Sequence, residues 1–172
     1  MNDEISIEEL KKLADDGNVD AKIEYATECI GKNIDTEANM AYLESMAAQD
    51  NTRALINLGF IYCIDRKEEE KAEPYFIRAA ELGSIYAMFI TGNHAYLKCH
   101  VWYITKDDPD AEKSPAPTVD DFLHAEKWLE KALSELNDDT ADCDLEDLPK
   151  WAKEWLEELY SMKCEQNPIY KG

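Results

Sequence analysis

Positive charge is what this sequence has least of for its size: 18 Lys and Arg stand against 38 Asp and Glu, a formal net charge of −20 over 172 residues. Phosphate backbones are held by clusters of Lys and Arg, so the imbalance argues against nucleic acid as a partner and favours a cationic one. Cysteine is sparse and follows no pairing pattern. Cys29, Cys63, Cys99, Cys143 and Cys164, with no C-x-x-C among them, make neither a zinc nor a disulfide framework and are expected to be reduced, in the cytoplasm. No apolar run approaches the ~20 residues that cross a bilayer, so no membrane is expected. The opening MNDEISIEELKK is acidic where a signal peptide needs a basic segment and then an apolar run, so no secretory leader is expected. The six glycines form no P-loop and no G-x-G-x-x-G.

What is present is apolar residue in quantity, 45% of the chain, enough for one domain with a real core. It is also periodic. A shift of 33 residues lays Ala21 on Ala54 and Ala87, Tyr42 on Tyr75, Ala14 on Ala47 and Ala80, and Gly17 on Asp50 and Gly83. A fixed period in this range is the signature of a stacked repeat protein. Within the unit, Ala54, Leu58, Ile61 and Tyr62 recur at helical spacing, as do Ala72, Tyr75 and Ile77 to Ala80 after a polar break, so each repeat reads as a helical hairpin. Gly59 leaves room for a close approach of the partner helix, and Gly83 supplies a left-handed residue to end the second helix.

The pattern Ala54-x3-Leu58-Gly59-x2-Tyr62, followed by Lys71-Ala72-x2-Tyr75-x2-Arg78-Ala79-Ala80-x2-Gly83-x3-Ala87, resembles a Sel1-like repeat. That family is an α/α solenoid related to the tetratricopeptide repeat, and the resemblance implies adaptor or regulatory roles. Ankyrin repeats share the period, but no Thr-Pro-Leu-His run is present. The sequence departs from the family where Ile64 to Glu68 replace a glycine-rich turn.

In chain order, a capping helix is expected at 6–16, with Ser6 as N-cap and Glu9 completing a capping box. It stands in second-helix register and would cover the hairpin that follows. Repeats are expected at about 19–50 (helices 19–31 and 36–49, the latter capped by Asp35 or Thr36), 52–83 (helices 52–64 and 70–82) and 85–136. Pro74 would clash with the Glu70 carbonyl inside a helix, so Glu68 to Glu70 read mostly as loop. In the third repeat, Ala125-x2-Trp128-x2-Lys131-Ala132 matches Ala72-x2-Tyr75-x2-Arg78-Ala79 at an offset of 53, which leaves a 20-residue insertion near 99–118. Helical spacing continues to about 104, and the Asp- and Pro-rich stretch to Pro117 reads as a loop; a helix follows at about 119–136. An acidic linker precedes a last helix at about 147–164, with Asp147 as N-cap and Leu148, Trp151, Trp155, Leu159 and Met162 along one face, closing the solenoid.

Candidate chemistry is thin. His94, Cys99, His100 and His124 are zinc-type side chains without tight ligand spacing, and Asp138, Asp142, Asp144 and Glu146 lack the glycine and the twelfth-position Glu of a calcium loop. No nucleophile beside a base and no tuned carboxylate pair stands out. No catalytic activity, cofactor or metal is expected.

Comparing the repeats with one another is more informative. Positions three, six and ten residues beyond the first signature alanine lie opposite the packing face: Glu24, Thr27 and Gly31; Asn57, Phe60 and Ile64; Ile90, Asn93 and Leu97. They vary while the packing positions stay similar, and in solenoids of this kind the first helices line the concave surface. Trp102 and Tyr103 of the insertion would wall one side. The expectation is therefore an all-α right-handed superhelical solenoid of Sel1-like hairpins, capped at both ends. It would act as a non-enzymatic, cytoplasmic interaction module whose concave face binds another protein or peptide, a basic one by charge. An acidic inhibitor or immunity protein that neutralises a basic toxin or enzyme is the alternative.

Overall fold

The computed structural model describes residues 5–112, 114–136 and 147–166. It is all-α, with no strand among the described residues. The chain divides into two compact units, Met1–Leu82 and Gly83–Gly172.

In the first unit, α1 (Ile7–Asp15), α2 (Val19–Gly31), α3 (Thr36–Ala47), α4 (Thr52–Phe60) and α5 (Glu69–Glu81) each pack on the next in sequence, and α2 also meets α4. Their starts and stops are chemically repetitive. Asn18 and Asn51 take nearly the same extended backbone and accept the N–H of Ala21 and Ala54 at 2.9 and 3.0 Å, satisfying donors that the helix cannot. α1 and α3 end alike: Gly17 and Asp50 adopt φ of 93° and 61°, and the next residue's N–H reaches back to Leu13 and Met46. The core is Leu10, Ile23, Leu43, Leu58 and Phe76 with the alanines between them.

Gly59 faces α5 at close range: a Cβ there would lie 2.5 Å from Phe76 Cε1. The expected helix at 52–64 is α-helical only to Phe60 and then widens into a π-helical turn, Ile61–Asp65, closed by Arg66 N–H to the Ile61 carbonyl at 3.1 Å. The wider turn brings Tyr62 flat against Tyr75, ring centroids 5.6 Å apart, with the Arg66 guanidinium 5.1 Å over the Tyr62 ring.

The late start expected for α5 is corrected. The helix begins at Glu69, where Lys71 and Ala72 N–H bond the Glu68 carbonyl, and Pro74 lies in its second turn. Proline there forgoes the bond to the Glu70 carbonyl. The buried Ala72, Phe76, Ala79 and Ala80 hold the helix in spite of it. Asp35 occupies the N-cap of α3 in a left-handed conformation but makes no side-chain capping bond. At α1, Ser6 Oγ accepts the Glu9 N–H at 3.2 Å.

The second unit is α6 (Ile85–Thr105), α7 (Val119–Glu135) and α8 (Leu148–Gln166), each packed on the other two. Ser84 repeats the asparagine caps, accepting from Ala87 N–H at 3.2 Å, and Gly83 repeats the positive φ at 94°. Gly92 repeats Gly59: a Cβ there would lie 2.7 Å from Leu129 Cγ. Leu129 is Phe76 moved by the offset of 53 found in the sequence. α7 opens with a full capping box, Thr118 and Asp121 bonding each other's backbone N–H. Lys98 reaches Asp121 from α6 at 2.6 Å.

The expected face of α8 is corrected. Leu159 and Met162 are buried, but the seam runs through Ala152 and Leu156, while Trp151 is exposed and Trp155 half-buried. Trp155 stacks on Tyr96 at 5.6 Å. Two further bonds tie α8 to α7, Lys163 with Glu126 and Tyr160 with Glu130.

Candidate interaction surface

Of the first-helix positions singled out in the first unit, Glu24, Thr27 and Asn57 lie on one polar seam, and Gly31, Phe60 and Ile64 stand apart from it. Glu24 on α2 pairs with Arg53 on α4 at 2.9 Å, and Asn57 Nδ2 on α4 donates to Thr27 Oγ1 at 2.9 Å. The Thr27 hydroxyl in turn donates to the Ile23 carbonyl one turn back, which leaves its oxygen to accept from Asn57. These four side chains form a polar seam between neighbouring first helices. Phe60 is half-buried against the Phe76 ring, centroids 5.2 Å apart and edge to face, while Ile64 stands exposed on the π-helical turn. Gly31 ends α2 with open space around it.

In the second unit the positions lie on α6. Ile90 and Asn93 are half-buried and Leu97 is 44% exposed. The face extends further than the repeat comparison indicated: Tyr86 begins it, and Val101 and Ile104, 43% and 60% exposed, continue it. Spacings of three and four residues keep all of these on one side of the helix. The signal was in the sequence, since the apolar period runs past Leu97. It lies beyond the point where the 33-residue alignment ends, so comparing positions across that register does not reach it.

Trp102 and Tyr103 are both half-buried and share one cation, with Lys106 Nζ 5.8 Å and 4.2 Å from their ring centres. Asp107, Asp108 and Asp110 beyond them are exposed, and Asp108 Oδ1 accepts the Asp110 N–H at 2.9 Å.

His100 and Cys99 are used within the fold. His100 Nδ1 lies 3.0 Å from the Tyr96 hydroxyl and 3.1 Å from Glu158. Tyr96 also donates to Glu158, and burial followed by that carboxylate pushes the phenol well above the ordinary tyrosine range. Cys99 is fully buried; desolvation, with Asp121 adding to it, raises its thiol to about 11. Among the described residues no group of three or more His, Cys, Asp or Glu is placed to hold a metal ion. Asp138, Asp142, Asp144 and Glu146 lie outside the described residues.

No protein-family model matches the chain, and no curated protein or solved structure matches it.

Proposed function

We propose that the chain is a non-enzymatic interaction module built as a right-handed solenoid of Sel1-like hairpins, and that it engages a basic protein or peptide in the cytoplasm through its first-helix face. The repeat reading draws support from chemistry recurring in register. It includes the caps Asn18, Asn51 and Ser84, the positive φ at Gly17, Asp50 and Gly83, and the close approaches at Gly59 and Gly92. No helix among the described residues is long and apolar enough to cross a membrane.

The observation that carries the functional reading is the face of α6. A helix whose other sides bury Met88, Phe89, Tyr96 and Cys99 also keeps Tyr86, Leu97, Val101 and Ile104 partly in water. Contiguous exposed apolar surface with an acidic border is the form of a protein-binding patch. A photo-crosslinking residue at Leu97 should capture a partner that the same residue at the exposed Lys153 on α8 does not, and Leu97→Glu should abolish the capture. Equal capture at both positions would remove the α6 face from consideration.

The net charge of −20 supports a second reading, an acidic inhibitor or immunity protein that neutralises a basic toxin or enzyme. It differs in outcome: the captured protein would be an enzyme or toxin whose activity falls stoichiometrically when this chain is added.

A further inference from the structure

The first unit has an open groove of ≈ 690 Å³ between α1 and α2, with Leu10, Leu13 and Ala21 among its apolar lining and Asp20, Glu24 and Glu28 among its acidic lining. The repeat register indicates what it is shaped for. Moved by 33 residues, Leu10, Leu13 and Ala21 become Leu43, Met46 and Ala54 on α3 and α4. That equivalent surface is covered, because α2 packs on both helices; Leu43 and Ala54 are 0% exposed and Met46 is half-buried. The floor of the groove, Leu10 and Ala21, is 6% and 7% exposed, while its apolar rim stands in water: Leu13 is 37% exposed and Ile5 54%.

The polar seam transposes as well. α2 meets α4 through Glu24 with Arg53 and Thr27 with Asn57. Moved back by 33 residues, Arg53 and Asn57 of the receiving helix become Asp20 and Glu24 of α2. A helix lying on α2 as α2 lies on α4 would therefore meet two carboxylates. Arg53 and Lys32 already hold Glu24 and Glu28, which leaves Asp20 facing the groove for an incoming cation.

We propose that this groove takes a basic amphipathic helix of a partner protein, laid on α1 and α2 as α2 is laid on α3 and α4. The mode is helix-in-groove recognition, with apolar anchors set between Ile5 and Leu13 above the buried Leu10 and cations set over Asp20 and Glu24. It is independent of the α6 face.

The test titrates the full-length protein with a labelled peptide of residues 18–31 carrying Glu24→Arg, Thr27→Lys and Cys29→Ala, held helical by a lactam on its outward side. Binding at one peptide per chain that weakens with added salt is expected. Leu13→Glu in the protein should weaken it at least about 10-fold. Asp20→Arg should weaken it similarly and should strengthen binding of the peptide that retains Glu24, a charge swap that decides the matter even if Leu13→Glu perturbs the fold. Leu97→Glu should leave binding unchanged, so a failure here is separate from a failure of the α6 reading. No binding, binding indifferent to Leu13 and Asp20, or loss of binding on Leu97→Glu would each overturn the proposal. So would a concentration-dependent dimer that Leu13→Glu dissolves, which would assign the groove to a second copy of the chain.

Discussion

A missing methyl group sets how closely two helices approach at Gly59, and again at Gly92. At Gly59 the obstacle to a Cβ is the Phe76 ring; at Gly92 it is the Leu129 side chain and also its backbone N at 3.1 Å. A ring can tilt, whereas a backbone nitrogen moves only with its helix. Gly59→Ala should therefore destabilise the protein, with overpacking of about 1–3 kcal/mol exceeding the helix-propensity gain of up to about 1 kcal/mol. Gly92→Ala should cost more, and urea midpoints would rank the two. The 33-residue register of the sequence suggests a remedy for Gly59. A shift of 33 residues leads to Ala26 and Leu43 at the two corresponding positions, both buried, so Phe76→Leu should recover part of the stability that Gly59→Ala removes. If the double variant is no more stable than Gly59→Ala alone, the register correspondence between these repeats is wrong. This much was legible in the sequence, because a glycine at a helix-facing position has few uses besides close approach. The asparagine caps are equally in register at Asn18 and Asn51, three residues before the packing alanines Ala21 and Ala54 that they serve.

Elements are governed by their ends, and the sequence was least informative where an end is fixed by tertiary contacts. Helix α5 is the case in point: Pro74 argued for a late start, and local propensity was overruled by the burial of Ala72 and Phe76 on either side of it. Pro74 is itself exposed, so replacing it removes no packing. Pro74→Ala should restore the bond to the Glu70 carbonyl and relieve the ring clash. That gain, up to about 3 kcal/mol, should exceed the loss of roughly 0.4–1 kcal/mol from a freer unfolded chain. A higher melting temperature is the expected result. The π-helical turn was likewise invisible, since Ile61 to Asp65 continue an α-helical apolar period and only the stacking of Tyr62 on Tyr75 distinguishes the wider winding.

The start of α7 makes a pH prediction at the same scale. Burial disfavours the charged form of Asp121, but the bond from Lys98 and those from the Thr118 N–H and hydroxyl outweigh it and hold the carboxyl down to about 2. Its folded value lies below its unfolded one, so the stabilisation is complete above about pH 4 and is lost as pH falls towards 2. The difference amounts to about 2 kcal/mol. Asp121→Asn should lower the urea midpoint at pH 7, and the gap to the wild type should narrow across pH 4 to 2. A gap that stays constant through that window would show that Lys98 and Thr118 act on Asp121 by shape rather than by charge.

For the whole molecule, the dominant quantity is a net charge of −20. Long-range charge and short-range apolar contact act on different stages of association, and this chain separates them along α6. Under the proposed function Leu97, Val101 and Ile104 would be the apolar contact, and Asp107, Asp108 and Asp110 follow immediately as exposed acidic residues. Lys106, drawn onto Trp102 and Tyr103, is the cation between them. Under the proposed function, replacing the three aspartates by asparagine should slow association with a basic partner and flatten its dependence on salt, because rim charges steer encounter across roughly a Debye length of 8–10 Å. Leu97→Ala should instead leave the association rate nearly unchanged and speed dissociation, at a cost of about 1 kcal/mol or more if Leu97 is central to the contact. Stopped-flow traces at two salt concentrations would separate these effects. If both changes acted on dissociation alone, the acidic stretch would be touching the partner directly and the division of labour along α6 would be wrong. If neither acted at all, the α6 face would not be the binding surface, and the next candidates would be other exposed apolar residues, Ile64 and the α1–α2 groove in the first unit and Trp151 on α8 in the second.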